Sequence, residues 1–514
     1  MPVFVAFIRK HWNEHPLMFV LTIGLMVRLL AMWFARGYLM VDDHFLVMEA
    51  AGSWADGFDY NKWLPWTENS VGPVNLSFFY VGIIWLVLEA LQAVGIQNPD
   101  TQMLIIRGLH AVYSLGIIYY GFRIAHLLAG KKEARMVGLM LALFAFLPNF
   151  SVRQLVEMTC LPPLMGMFYF LMKGDETRRW TPFLFAGILA GIAVGIRYQV
   201  VLIVAGSGAV ALFSKNWSRA ILYGVVAGAV FFLTQISDLF LWHKPFAQLW
   251  EYIAYNSTEY GNYPNSPWYN YVLTLAGFLV PPVSLLFLFG FFKPFKKHLP
   301  FIVPVLLFLV FHSIYPNKQE RFILPIIPII ISVGYVGWMR WYNKSLFWHK
   351  AKWLHTSLWV LFWSINVMAL SVFTFSYTKK SLVESMLWLR ERGDCTNFIW
   401  EYSHTDHVSI PPRYYLDQWN NNFNQPNSID PIKVYKRQER NLPGYPPANY
   451  ILFIENEDMH RRVYQANELY SGITFEKHCE PGFLDRWLHL LNPINPSEDV
   501  YIYRINNPVV PSAE

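Results

Sequence analysis

Two adjacent carboxylates, Asp42 and Asp43, follow the first long apolar run of the chain in the order Val41-Asp42-Asp43-His44-Phe45. A carboxylate at a membrane surface can serve as a general base toward a hydroxyl. Adjacent carboxylates also repel, which raises the pKa of one of the two. The same pair suits a helix start, because Asp ahead of the amphipathic run 45–54 satisfies free amides and complements the helix dipole. The two roles can fall on different members of the pair. Lys318, Glu320 and Arg321 form a second polar group, set in the few residues that join two apolar runs. Long cationic side chains there anchor at the interface, or they clamp an anion such as a lipid phosphate, to which Arg presents a bidentate fork. Arg153, Arg197 and His243 stand in other short polar stretches. Each reads either as a structural or interfacial residue or as a further ligand for the same anion. Arg28 lies inside the first apolar run, where a charge faces a cavity or a polar partner.

Apolar runs of membrane-spanning length must position these groups. They cover residues 17–35, 103–128, 136–150, 155–172, 181–196, 200–213, 220–236, 269–292, 299–315, 322–338 and 353–375. Basic clusters recur at Arg9/Lys10, Lys131/Lys132/Arg135, Lys173/Arg178/Arg179, Lys215/Arg219, Lys293/Lys296/Lys297 and Arg340/Lys344/Lys350/Lys352. All of them are cytoplasmic under the positive-inside rule if the further apolar stretch 74–94, after Gly72-Pro73, lies along the outer surface instead of crossing. The expected fold is an α-helical polytopic membrane protein with about eleven transmembrane helices plus juxtamembrane helices, its N-terminus cytoplasmic. Residues 40–98, 149–154, 237–268 and 316–321 then face outward. The first of these carries Asp42, Asp43, Glu49, Asp56, Asp59 and Glu68 against Lys62 alone. The third is rich in Trp and Tyr, which suit a membrane interface or stacking on sugars.

Composition agrees with this reading. The 514 residues are 54% apolar and 15% charged, where a soluble globular chain carries about 25% charged residues. The net charge of +6 is distributed in short clusters between apolar runs, so it encodes orientation and gives no sign of nucleic acid. From residue 377 onward the composition is that of a soluble protein. The expected organisation is a membrane module over 1–376 and a small extracytoplasmic α/β domain over 377–514. In that domain residues 450–454 and 500–505 read as strands, and 459–470 and 483–491 as helices. Residues 17–35 are long enough to remain as a span, and no small-residue cleavage site accompanies them, so no cleavable leader is expected. Three cysteines exclude a disulfide scaffold. Cys160 reads as packing, while Cys395 and Cys479 can pair in an oxidising compartment or remain free thiols.

The segment Asn317-Lys318-Gln319-Glu320-Arg321-Phe322-Ile323-Leu324-Pro325 resembles the His-Lys-Glu-Glu-Arg-Phe-Leu-Leu-Pro signature of glycosyltransferase family 22. These are the dolichol-phosphate-mannose-dependent mannosyltransferases of GPI-anchor and N-glycan assembly, in the GT-C superfamily. Val41 to Glu49 is similar to their first-loop motif Pro-Asp-Glu-(aromatic)2-Gln-Ser-Leu-Glu. Arg153-Gln154-Leu155 stands in the place of their Arg-Thr-Leu, Gly187 to Arg197 resembles their Gly-Leu-(x)n-Arg helix, and the segment from Asp238 to Trp242 their Asp-Ser-Leu-Phe-Tyr. The motifs occur in family order over roughly residues 15 to 340. Three positions depart from the pattern: Asn317 replaces His, Asp43 replaces Glu and Val41 replaces Pro.

The resemblance implies an inverting transfer of mannose, or a related hexose, from a polyprenyl-phosphate donor to a hydroxyl of a glycan or lipid-linked acceptor outside the cytoplasm. It implies Asp42 as the base, with Asp43 beside it, and a donor-phosphate site drawn from Arg153, Lys318, Glu320, Arg321, Arg197 and His243. It implies no cofactor and no metal. A lipid phosphate is already a competent leaving group, so the chemistry needs a base for the acceptor and cations for the phosphate. The divergence of the motifs favours a bacterial cytoplasmic membrane over the endoplasmic reticulum. Other readings remain open: a protein O-mannosyltransferase-like or aminoarabinose-transferase-like enzyme, a lipid-linked-sugar flippase, or a non-catalytic scaffold with the tail as a binding module. The sequence carries no internal repeat of the transporter kind, which weighs against the flippase.

Overall fold

The structure is a computed structural model that describes residues 10–214, 217–258, 266–295, 297–402, 409–419, 422–426 (backbone only), 447–470, 472–492, 495 and 497–506. Arg9, Lys215 and Lys296 of the basic clusters, and residues 259–265 of the aromatic outer loop, lie outside the described residues. Five described helices are long and apolar enough to cross a membrane: Pro16–Phe34, Pro99–Ala129, Trp217–Trp242, Glu320–Tyr342 and Lys352–Thr374. Asn270–Phe278 and Val283–Phe292 meet at 116°, as a broken sixth span or a re-entrant pair. The runs read at 181–196, 200–213 and 299–315 are shorter apolar helices, Thr181–Ile196, Tyr198–Phe213 and Leu299–Ile314. The stretch 74–94 contains the helix Phe78–Ala93. Exposed apolar side chains such as Met18, Met26, Leu30 and Trp33 on the first helix give the molecule a lipid-facing surface. It is an integral membrane protein.

The chain divides into two compact units, one of Met1–Trp33, Lys62–Ile84 and Ile105–Phe375, the other of Phe34–Asn61, Trp85–Leu104 and Ser376–Glu514. In the first unit, small residues let helices touch backbone to backbone, as in membranes generally. A Cβ on Gly187 would meet Tyr223 O at 2.8 Å, and one on Gly191 would meet Ala227 O at 2.6 Å. With Gly195, which faces Thr234, these glycines form a ridge one turn apart that seats Thr181–Ile196 on Trp217–Thr234. Gly290, Gly334 and Gly337 likewise bring Val283–Phe292 against Ile327–Tyr342. Arg28 finds polar partners inside the bundle. It is fully buried, and its guanidinium donates to Ser114 Oγ at 3.0 Å and to the carbonyls of Gly24, Leu141 and Ala142. The charge therefore staples three helical segments together.

The second unit is built on a five-stranded sheet. Its strands are β1 (Phe398–Tyr402), β2 (Asn422–Pro426), β3 (Tyr450–Ile454), β4 (Ile473–Cys479) and β5 (Val500–Ile505), in the order β2-β1-β3-β5-β4. β1 pairs in parallel with β2 and β3, while β5 runs antiparallel to β3 and β4. Ile399, Ile451, Phe453 and Ile505 form the core against Ala466 of the helix Met459–Leu469. Arg462 of that helix bonds Glu401 Oε2 from Nε at 2.8 Å and also reaches the carbonyls of Ile454, Glu455 and Glu457. Burial raises the Glu401 carboxyl, and the neighbouring arginine opposes that shift. Cys160, Cys395 and Cys479 are all buried free thiols.

Candidate functional site

In the first unit, three charged side chains from separate segments meet in a buried cluster. Arg197 caps the helix Thr181–Ile196 with extended backbone (φ −144°, ψ 108°), a turn that swings its side chain inward. Glu157 sits on the single turn Val156–Thr159, and Arg321 lies in the first turn of the 3-10 helix Glu320–Ile326. All three are buried. Arg197 Nη1 lies 2.5 Å from Glu157 Oε1, and Arg321 Nε lies 3.7 Å from the same oxygen. Arg321 Nε also donates to Gln319 Oε1 at 2.8 Å. Both guanidinium groups stand over the Phe322 ring, at 5.3 and 5.7 Å from its centroid, which provides an apolar floor and cation–π attraction. Two arginines face one carboxylate, so the triad carries one net positive charge. Among the described residues, Arg197 Nε and Nη2 and Glu157 Oε2 are buried and meet no hydrogen-bond partner. A buried guanidinium with open donors is costly unless a ligand completes it.

Neighbouring polar contacts fix this cluster. Tyr198 donates to Gln235 Oε1 at 2.6 Å, and Gln235 Nε2 donates to Ser77 Oγ at 3.1 Å. The next amide, that of Phe78, donates to Gln248 Oε1, and the Gln248 amide donates to Asp238 Oδ2. Tyr271 brackets Gln319, accepting its N–H and donating to its carbonyl, each at 3.2 Å. The other sequence-derived residues take different places. Arg153 is buried just upstream of Glu157. Lys318 is anchored by the carbonyls of Ser266 and Tyr315 at 2.9 and 2.7 Å, and partial burial lowers its pKa. Glu320 is exposed. His243 is exposed at the C-cap of Ile236–Trp242 in left-handed conformation. Structure thus brings Arg197 and Arg321 together, and it does so through Glu157, a residue the motif reading passed over.

The acidic pair belongs to the second unit. Asp42 is exposed and Asp43 buried. Asp42 has helical dihedrals (φ −58°, ψ −45°) and makes no side-chain cap bond, so the capping reading does not describe it. The helix continues from it as a π-helix over Asp43–Glu49, a form frequent at functional sites. That winding brings His44 Nε2 within 3.5 Å of Glu49 Oε1. His44 lies stacked between Tyr38 at 4.5 Å and Tyr415 at 5.5 Å, with edge contacts to Phe45 and Tyr414. Glu49, fully buried, accepts the Tyr414 N–H at 3.2 Å. Tyr414 OH donates to Gln102, and Trp419 Nε1 donates to Asp56 at 2.7 Å. The first loop is therefore held by residues 413–419 of the tail.

A family model described as the Alg9-like mannosyltransferase family matches residues 19–410. The chain belongs to that family. It is a glycosyltransferase of the membrane-embedded kind. No curated protein sequence matches it. Among solved structures it is similar to ArnT from Cupriavidus metallidurans bound to undecaprenyl phosphate, with TM-score 0.57 and 12% identity over 97% of this chain and 98% of that one. It is also similar to the oligosaccharyltransferase of Archaeoglobus fulgidus in complex with zinc and sulfate, with TM-score 0.54 and 11% identity over 88% of this chain and 69% of that one. The same enzyme tethered to an acceptor peptide gives TM-score 0.55 and 10% identity, over 90% and 71%. At these identities the likeness is one of fold, and the fold is that of the GT-C membrane enzymes.

Proposed function

We propose that this family member transfers mannose, or a related hexose, from a polyprenyl-phosphate donor to a hydroxyl of a glycan or lipid-linked acceptor, with inversion. The observation that carries the reading is the buried Arg197–Arg321 pair over Phe322, in which Arg197 Nε and Nη2 are open donors and the triad with Glu157 carries one net positive charge. Such a group matches a lipid phosphate in charge and in bidentate geometry. ArnT, the fold relative, binds undecaprenyl phosphate, and that ligand class supports the same assignment here. Arg153 and Lys318 add positive charge near the ends of the same segments. Asp42, exposed at the head of a helix, takes the acceptor proton, and Asp43 stands beside it. The acceptor oxygen bonds to the anomeric carbon as the bond from that carbon to the phosphate oxygen breaks. The lipid phosphate leaves as a monoester with one further negative charge, which the arginines stabilise. The phosphate leaves without protonation, so the step needs no general acid, and the reading takes in no cofactor or metal.

In this reading about eleven crossings place the N-terminus in the cytoplasm and the first loop and tail outside it, in a bacterial cytoplasmic membrane. Donor binding tests the assignment. Arg197→Gln in protein reconstituted with polyprenyl-phosphate-[3H]mannose is expected to weaken donor binding about tenfold or more, the worth of one charged hydrogen-bonding group. Unchanged donor affinity would remove the cluster from the phosphate site.

A further inference from the structure

The buried carboxylate at the centre of the cluster takes no part in the bond making proposed above, and it lowers the positive charge available to a phosphate. We propose that Glu157 is a positioning residue that sets the charge of the phosphate site, so that the site holds the singly charged phosphodiester of the donor and lets go of the more highly charged phosphomonoester product. The inference rests on the reading of Arg197 and Arg321 as phosphate ligands.

The geometry gives Glu157 two separable effects. Its Oε1 takes Arg197 Nη1 at 2.5 Å and stands 3.7 Å from Arg321 Nε, so one oxygen hydrogen-bonds the first guanidinium and lies within ion-pair distance of the second. Its negative charge also reduces the pair from two positive charges to one. The cluster is buried, where charges interact strongly and are screened little. Around it stand Tyr252, Tyr271, Cys160 and His312, each within electrostatic reach of Arg197. Among the described residues, the charged groups on the adjoining segments include Arg153, Lys318 and the exposed Glu320.

Charge then discriminates between the two lipid phosphates. A phosphodiester carries one negative charge, whereas a phosphomonoester carries about 1.5 to 2 near neutral pH. Attraction scales with the product of site and ligand charge. A site with two positive charges would favour the monoester over the diester more steeply than a site with one, and turnover would stall on product. Glu157 keeps Arg197 aligned while holding that preference down.

Glu157→Gln keeps the shape and an acceptor for Arg197 while raising the site charge by one. In reconstituted protein, Ki for polyprenyl phosphate as product inhibitor is expected to fall about tenfold relative to KM for the polyprenyl-phosphate sugar. Steady-state turnover should slow while the single-turnover rate holds or rises. Arg321→Gln lowers the charge by one and must move the Ki-to-KM ratio the opposite way, which keeps the test decisive if Glu157→Gln does not accumulate in the membrane. Parallel weakening of donor and product by Glu157→Gln, or an unmoved ratio in both variants, overturns the role of Glu157. If Arg197→Gln and Arg321→Gln change neither constant, the phosphate reading itself is what fails.

Discussion

His44 and Glu49 lie five positions apart, a spacing that an α-helix turns to different faces. The π-helical winding of Asp43–Glu49 brings them together, so no reading at α-helical period could pair them, although both stand within the quoted first-loop motif. Glu49 also accepts the amide of Tyr414, 365 positions away. Glu49→Ala would leave that amide without its acceptor and remove the carboxylate that faces His44 inside a buried aromatic cage, at a cost of about 1–3 kcal/mol. The expected result is a lower thermal midpoint of the purified protein in detergent, with Tyr414 and Trp419 more accessible to modification; an unchanged midpoint would contradict the buried contact. Arg197 and Arg321 were legible as candidates because apolar runs frame them. Glu157 was not, since it sits at the start of a run read as a plain span and its partners come from distant segments.

At the scale of elements, the clear signals were those of local period. Strands at 450–454 and 500–505 and the helices starting at 459 and 483 match the observed β3, β5, Met459–Leu469 and Phe483–Leu491. β1 was missed because Glu401 interrupts its apolar run, and only the Arg462 contact explains a carboxylate there. β4 was missed because a register shift between Phe475 and Lys477 breaks its alternation. In the membrane part, apolar length alone overlooked which helices touch. The ridge of Gly187, Gly191 and Gly195 seats Thr181–Ile196, the helix that carries Arg197 at its C-cap, on Trp217–Thr234. Gly191→Leu would drive a side chain into the Ala227 carbonyl and push the helices apart, with overpacking costs of about 1–3 kcal/mol or more. Donor affinity should fall even though the substitution lies away from the cluster; a variant with native affinity and stability would show that this ridge does not position Arg197.

At the scale of the whole molecule, the expected division at residue 376 described composition, whereas packing groups the tail with residues 34–61 and 85–104. Composition sees solubility and is blind to which distant segments fold together. Asp42 and Asp43 consequently rest on a helix that the tail secures through Tyr414, Tyr415 and Trp419. The polar residues thus form two groups: a carboxylate pair on a braced helix, and an arginine pair that faces a buried glutamate. The chain's family is one of mannosyltransferases, and the proposed function uses both groups in sugar transfer. The most direct test is transfer of label from polyprenyl-phosphate-[3H]mannose to lipid-linked glycans extracted from source membranes, comparing wild type with Asp42→Asn. The account predicts transfer by the wild type and a loss of about 10²–10⁴-fold in the variant, with membrane insertion and donor binding intact. Undiminished transfer by Asp42→Asn, or no transfer by the wild type from any lipid-phosphate sugar, would contradict it.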